Sequence, residues 1–292
     1  MPELPEAETI VRGLRPGLTG SRLERVVVRH ADVLDTTPER FADRVVGHTV
    51  EDLGRRGKNI VIGLKGGDRI VVNLGMSGRL LLRPPDDASP PPTHPAVIFE
   101  LEAGRGTLIY HDVRRFGLLR CLDAATFRAW SAELGPEPLG PGFTAASLGT
   151  ALARSRSPVR SWLLDQRRIA GVGNIYANEA LHIAGVHPAT PASAIPENRI
   201  APLHRALRQV LRDAIRARGT TLRDYRTAQG WEGSYGGRLR VYGREGEPCS
   251  VCGTAIERSV LSNRSAFHCP ECQRLTGAGP PRTLLPGTSE PS

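Results

Sequence analysis

Four cysteines in two CxxC pairs specify chemistry most directly. Cys249-x-x-Cys252 and Cys269-x-x-Cys272 are separated by sixteen residues. Tetrahedral zinc takes four soft ligands at once, and a CxxC turn at the end of each of two strands supplies two thiolates. Between the pairs, ERSVLSNRSAF reads as a β-hairpin turning near Ser262-Asn263. A unit of about 25 residues buries too little core to fold alone, so metal is expected to supply much of its stability. His268 adjoins Cys269, but four thiolates already complete the shell. The reading is one structural Zn2+ per chain, with a redox role for either CxxC as the lesser alternative. Such a hairpin indicates a module that binds nucleic acid or protein; by itself it does not indicate an enzyme.

The chain has 292 residues, and 39 Lys+Arg against 30 Asp+Glu give a formal net charge of +9. That balance favours a polyanionic partner, nucleic acid ahead of a membrane surface. Only Lys58 and Lys65 are lysines, a bias that explains arginine over lysine but not the positive excess. No run of 18 apolar residues exists, so no membrane span or membrane partner is expected. The acidic start MPELPEAETIVRGL lacks a secretory pattern, which implies a cytoplasmic protein. Five cysteines there argue against a disulfide framework, and Cys121, alone in an apolar stretch, reads as buried.

These residues need a scaffold. Residues 6–15 read as a helix with Ala7, Ile10, Val11 and Leu14 on one face, stopped by Pro16-Gly17. Short β runs follow at 23–29, 59–65, 69–74, 96–101, 107–111 and 116–122, a spacing that suggests an antiparallel sandwich or barrel. Residues 83–95 form a proline-rich exposed loop. After GPEPLGPGF (135–143) the pattern turns helical, ending in a long amphipathic segment with Leu203, Leu207, Val210, Leu211, Ala214 and Ile215 inward. Residues 219–240 are polar and glycine-rich, as in a mobile loop, and the low-complexity stretch from Gly277 is expected to be disordered.

Several separated motifs, in order, resemble one family. MPELPEAET, LGMSG (74–78), RRFG (114–117), LDQRRIAGVGNIYANE (164–179) and GREGEPCSVCG with RSAFHCPECQ are similar to the formamidopyrimidine-DNA glycosylases from residue 1 to about 275. The resemblance implies an α+β multidomain fold. It comprises an N-terminal catalytic antiparallel β-sandwich with flanking helices (1–133), a helix-two-turn-helix domain with a lesion-capping loop (134–239), a β-hairpin zinc finger (240–276) and a tail (277–292). It implies a base-excision-repair enzyme releasing oxidised purines and cleaving the strand at abasic sites. Its partner is double-stranded DNA containing an oxidised base or abasic site, and it acts as a monomer.

Site residues follow from the same resemblance. Pro2 is implied as nucleophile once Met1 is removed, since an α-amino nitrogen titrates near ~8 and is partly neutral at pH 7. Glu3 is implied as general acid/base, Glu6 as a second acid near the site, Lys58 as a phosphate contact and proton donor, and Arg264 at the hairpin tip as a phosphate ligand assisting elimination. Met76, Arg114 and Phe116 match the residues that fill the space left by a flipped nucleotide. His94 and Arg156 match further DNA contacts, and Asn174, in the GVGN turn at a helix start, a phosphate site.

The sequence departs from the family pattern at Asn73, where a histidine is usual, at DVRRFG rather than DPRRFG, and at SYGGRLRVYG in the capping loop. These bear on lesion range. The alternatives are an endonuclease VIII-like enzyme for oxidised pyrimidines, disfavoured by Leu4 and a full-length 219–240 loop, and a non-catalytic zinc-hairpin DNA-binding protein, disfavoured by Pro2, Glu3, Lys58 and Arg264 together.

Overall fold

The computed structural model describes residues 2–90, 92–221, 225–228 and 230–275. The expected tail lies outside them. The chain divides into two compact units. One holds the described residues up to Glu133 with Ala214–Gly236; the other holds Leu134–Asp213 with the described residues from Gly237 onward. Much of the segment read as the capping loop therefore groups with the N-terminal unit.

In the first unit, helix α1 (Leu4–Leu18) leads into β1 (Leu23–Val28), α2 (Pro38–Val45), β2 (Val50–Arg56), β3 (Asn59–Leu64), β4 (Arg69–Asn73), β5 (Arg79–Arg83), β6 (Pro95–Leu101), β7 (Thr107–His111), β8 (Leu118–Leu122) and α3 (Ala124–Ala132). The strands form two antiparallel four-stranded sheets, β1-β6-β7-β5 and β2-β3-β4-β8. One core takes side chains from both sheets and from α1, among them Ile10, Leu14, Ile60, Ile62, Val72, Leu80, Val97 and Phe99. β3 is buried along its whole length, as its continuous apolar run requires.

Helix α1 runs on through Pro16 to Leu18 rather than stopping at Pro16-Gly17. A proline in the last turn removes one ladder hydrogen bond, and continuation places Leu18 beneath Leu14 in the core. Four elements had no sequence expectation. β2 alternates weakly, β5 is a five-residue run beside a turn, α2 buries Phe41 and Val45 alone, and α3 buries no residue.

The second unit contains α4 (Ala145–Ala153), α5 (Val159–Leu164), α6 (Asn174–Ala184), most of α7 (Glu197–Arg216), and the hairpin β9 (Glu257–Leu261) and β10 (Arg264–His268). Ser262 and Asn263 have φ of 49° and 58°, the left-handed pair that a two-residue hairpin turn needs. Among the described residues no helix is long and apolar enough to cross a membrane.

Candidate functional site

The N-terminus is held by its own carboxylates. Pro2, Glu3 and Glu6 are buried. Glu3 caps α1, and its N–H donates to Glu6 Oε2 at 2.8 Å. Glu6 Oε1 accepts the Thr220 N–H at 2.8 Å, so this carboxylate joins the start of α1 to the segment after α7. Gly219 makes the approach possible: its φ is +84°, and a Cβ there would lie 2.9 Å from Glu6 Oε1. Nearby, Tyr225 is buried, and burial together with Glu6 pushes its phenol up. The expected mobile loop thus has firm points at Thr220, Tyr225, Thr227 and Tyr235, all buried. Lys58 sits half-buried in the two-residue turn Gly57-Lys58 between β2 and β3.

Two turns carry the expected void-filling residues. Met76 is 40% exposed and Phe116 59% exposed, so neither is a core side chain. The Arg114 guanidinium lies 4.6 Å from the centroid of the Phe116 ring, a cation–π contact. Gly75 (φ +56°) lets the two turns meet, since a Cβ there would lie 2.5 Å from the Phe116 carbonyl carbon and the Gly117 nitrogen. Asn73 donates to Asn59 Oδ1 at 2.8 Å and accepts the Gly75 N–H at 3.0 Å, so at this departure from the family pattern the side chain braces the turn.

Asp112, to which the family motifs assign no role, is the centre of this arrangement. It is buried and accepts from Ser77 Oγ at 2.6 Å, Tyr110 Oη at 2.9 Å, the Gly117 N–H at 2.9 Å and the Arg114 N–H at 3.3 Å. Its own N–H donates to the His94 carbonyl at 3.2 Å. The exposed His94 ring meets the His111 ring edge-on at 5.7 Å. Burial, with Arg79 and His94 close by, holds His111 below the usual histidine range.

In the second unit, α6 is the platform for the cysteine module. The Glu179 carboxylate accepts the N–H groups of Arg240, Val241 and Tyr242 at 2.8–3.0 Å. Asn178 Oδ1 accepts the Phe267 N–H at 2.8 Å, and His182 Nε2 lies 3.5 Å from Cys249 Sγ. The sulfurs of Cys249, Cys252, Cys269 and Cys272 all lie within 4.8 Å of one another. The Val251 N–H points at Cys249 Sγ and the Cys272 N–H at Cys269 Sγ, each at 3.4 Å. Four converging sulfurs with backbone donors suit thiolate ligation of one zinc ion.

Arg160 is buried without a carboxylate partner among the described residues. It donates to Asn174 Oδ1, the Leu261 carbonyl and the Ser265 carbonyl at 2.6–3.1 Å. Burial, reinforced by the neighbouring Arg264 charge, lowers its pKa to about 10. Asn174 Nδ2 donates to the Ser265 carbonyl at 3.0 Å, so this side chain joins α6 to the hairpin. Arg264 and Arg156 are exposed, one at the start of β10 and the other between α4 and α5. Asp112, Ser77, Asn178 and Glu179 lie inside or beside the family motifs, and Arg160 lies four residues before one of them. Their burial comes from tertiary contact, and the sequence alone carries no signal of it.

Family models match almost end to end: the formamidopyrimidine-DNA glycosylase N-terminal domain at residues 1–119, the H2TH domain of the same enzymes at 134–226, and the zinc finger found in FPG and IleRS at 246–275. A formamidopyrimidine-DNA glycosylase of Rhizorhabdus wittichii is 48% identical over 277 residues, covering 94% of this chain and 100% of the relative. The crystal structure of the MutM (Fpg) protein from Thermus thermophilus superposes with a TM-score of 0.84 at 40% identity, covering 96% of this chain and 100% of that one. A Lactococcus lactis FPG mutant in complex with Fapy-dG containing DNA gives 0.87 at 31% identity, covering 94% and 100%. The α+β fold and the one-zinc donor set agree with these matches. The chain belongs to the formamidopyrimidine-DNA glycosylase family, the base-excision-repair DNA glycosylases in which AP lyase activity is typical.

Proposed function

We propose that this chain excises oxidised purines, including formamidopyrimidines, from duplex DNA and then cleaves the strand at the resulting abasic site. Once Met1 is removed, the Pro2 nitrogen is a secondary amine. It attacks C1′, the bond from C1′ to the base breaks, and the base leaves. The nitrogen gives up its proton, the C1′–O4′ bond breaks as the sugar ring opens and O4′ takes a proton, and the nitrogen lone pair forms the second bond to C1′ as an iminium ion. That cation acidifies the C2′ proton, whose removal expels the 3′ phosphate by β-elimination; a second elimination expels the 5′ phosphate. Glu3 moves protons beside Pro2, Lys58 binds phosphate and donates a proton, and Arg264 holds the flanking phosphates. His94, Arg156 and the α6 start at Asn174 bind backbone. Zinc on the four cysteines rigidifies the hairpin that presents Arg264.

One observation supports this reading most: Met76 and Phe116, apolar and exposed, are held on adjoining braced turns with Arg114 stacked on Phe116. Apolar wedges and a planar donor suit the gap left by an extruded nucleotide. A duplex-DNA substrate implies work in the bacterial cytoplasm, by a monomer organised as 1–133, 134–239 and 240–276. The test is a panel of duplexes with single lesions, assayed with borohydride. Base release and a covalent complex on oxidised-purine duplexes are expected. Reaction with oxidised pyrimidines alone, or binding without any trapped complex, would overturn the proposal.

A further inference from the structure

The Asp112 carboxylate has no capacity left for a ligand. A carboxylate offers about four acceptor directions. Oδ1 takes the Ser77 hydroxyl and the Arg114 N–H, while Oδ2 takes the Tyr110 hydroxyl and the Gly117 N–H. These donors come from three places: the turn carrying Met76, the strand β7 and the turn carrying Arg114 and Phe116. Ser77 Oγ also accepts the Arg114 N–H at 3.0 Å while donating to Asp112, so the two turns share one hydrogen-bond circuit.

The circuit brackets a strained segment. Arg115 has φ +54°, a left-handed backbone that arginine rarely adopts. The hydrogen bonds to Asp112 fall on either side of it, at Arg114 and at Gly117. Four consecutive exposed residues, Val113 to Phe116, thus project from a backbone fixed at both ends. With valine rather than proline at position 113, the covalent chain alone stiffens this turn less, and the carboxylate supplies the rigidity.

We propose that Asp112, acting through Ser77, is the positioning residue that fixes Arg114 against Phe116 and ties it to the turn bearing Met76, and thereby sets discrimination between bases opposite the lesion. This rests on the reading of Arg114 as the contact to the orphaned base. Discrimination depends on a side chain being held in place before it meets the base. A tethered backbone under Arg114 confines its guanidinium, whereas a loosened one lets it adapt to either partner.

The experiment compares wild type, Ser77→Ala, Asp112→Asn and Asp112→Ala on duplexes carrying one oxidised guanine opposite cytosine or adenine. kcat and KM are measured separately. Each rate is referred to the same variant's rate on a single-stranded abasic oligonucleotide, which has no orphaned base. Ser77→Ala is expected to lower the cytosine-to-adenine ratio of kcat/KM about fivefold or more, within the range of one lost base contact. Asp112→Asn keeps one acceptor oxygen and should fall between wild type and Asp112→Ala. If the Asp112 variants do not fold, Ser77→Ala, which leaves the carboxylate in place, decides alone. An unchanged ratio in folded Ser77→Ala, or equal losses on all three substrates, overturns the proposal. Wild-type protein inactive on every lesion duplex overturns the underlying reading instead.

Discussion

In the proposed function the turns of the β-sandwich and the cysteine hairpin each present residues to DNA, yet they are stabilised in opposite ways. The turns bearing Met76, Arg114 and Phe116 stand on a large core of strand and helix side chains, and a saturated carboxylate braces them. The hairpin bearing Arg264 has a small cluster of Val241, Ile256 and Phe267 with two of its cysteines. It is held by sulfur geometry, by Asn178 and Glu179 on α6, and by the carbonyl contacts of Arg160. A region resting on a core loses precision when one polar bond goes. A region assembled from ligands and hydrogen bonds loses its fold.

Metal removal breaks that comparison most sharply. Stripping zinc with a chelator, or Cys269→Ser, should lower affinity for lesion duplexes about tenfold or more, because in so small a module metal binding is folding free energy. The melting transition of the sandwich should stay in place, as followed by calorimetry with and without chelator. Equal loss in both regions, or unchanged DNA affinity without metal, contradicts the contrast.

Glu179→Ala tests the same module without touching the metal ligands. It strands three backbone N–H groups at the base of the hairpin and should cost about 2–4 kcal/mol. Urea unfolding gives the cost, and amide exchange at Arg240, Val241 and Tyr242 localises it. Normal protection there would show that another group holds this segment.

Arg114 and Arg156 sharpen the contrast between base and backbone contacts. Arg156→Ala should reduce the slope of log K against log salt by about 0.9 with little change in opposite-base preference. Arg114→Ala should flatten discrimination between cytosine and adenine, worth roughly 1–3 kcal/mol. Salt titrations on both duplexes decide, and the reverse pattern exchanges the two roles.

The smallest effect is pH dependence in the sandwich. His111 is held below its ordinary value of 6.5, chiefly by burial. As pH falls below about 6.5, the unfolded chain takes up a proton that the folded protein resists, so stability falls through that window. His111→Gln should shallow the decline between pH 7 and pH 5. An unchanged acid limb would assign it to other groups.

The parts of this molecule legible in the sequence are those where one residue type has one use. Met76 and Phe116 are picked out through the family resemblance, whereas the CxxC pairs, the Ser262-Asn263 turn and the apolar run of β3 could be read directly. Polar residues inside motifs could not. Asp112, Ser77 and Glu179 look like surface residues until strands and helices bring backbone donors to them from distant positions, as Glu179 receives Arg240, Val241 and Tyr242. The partnership of the Asn174 side chain with Arg160 and the Ser265 carbonyl is set by tertiary contact and has no local signature. The end of α1 was missed because burial of Leu18 outweighs the local cost of Pro16.

In the proposed reaction the N-terminal nitrogen performs the chemistry. The most direct measurement is borohydride trapping on an abasic duplex followed by peptide mapping, with Met1 removed and, in parallel, with an uncleaved N-terminal extension. A covalent adduct on Pro2 is expected in the processed protein and none in the extended one. Full activity with the extension in place, or an adduct on Lys58 or Lys65, would contradict it.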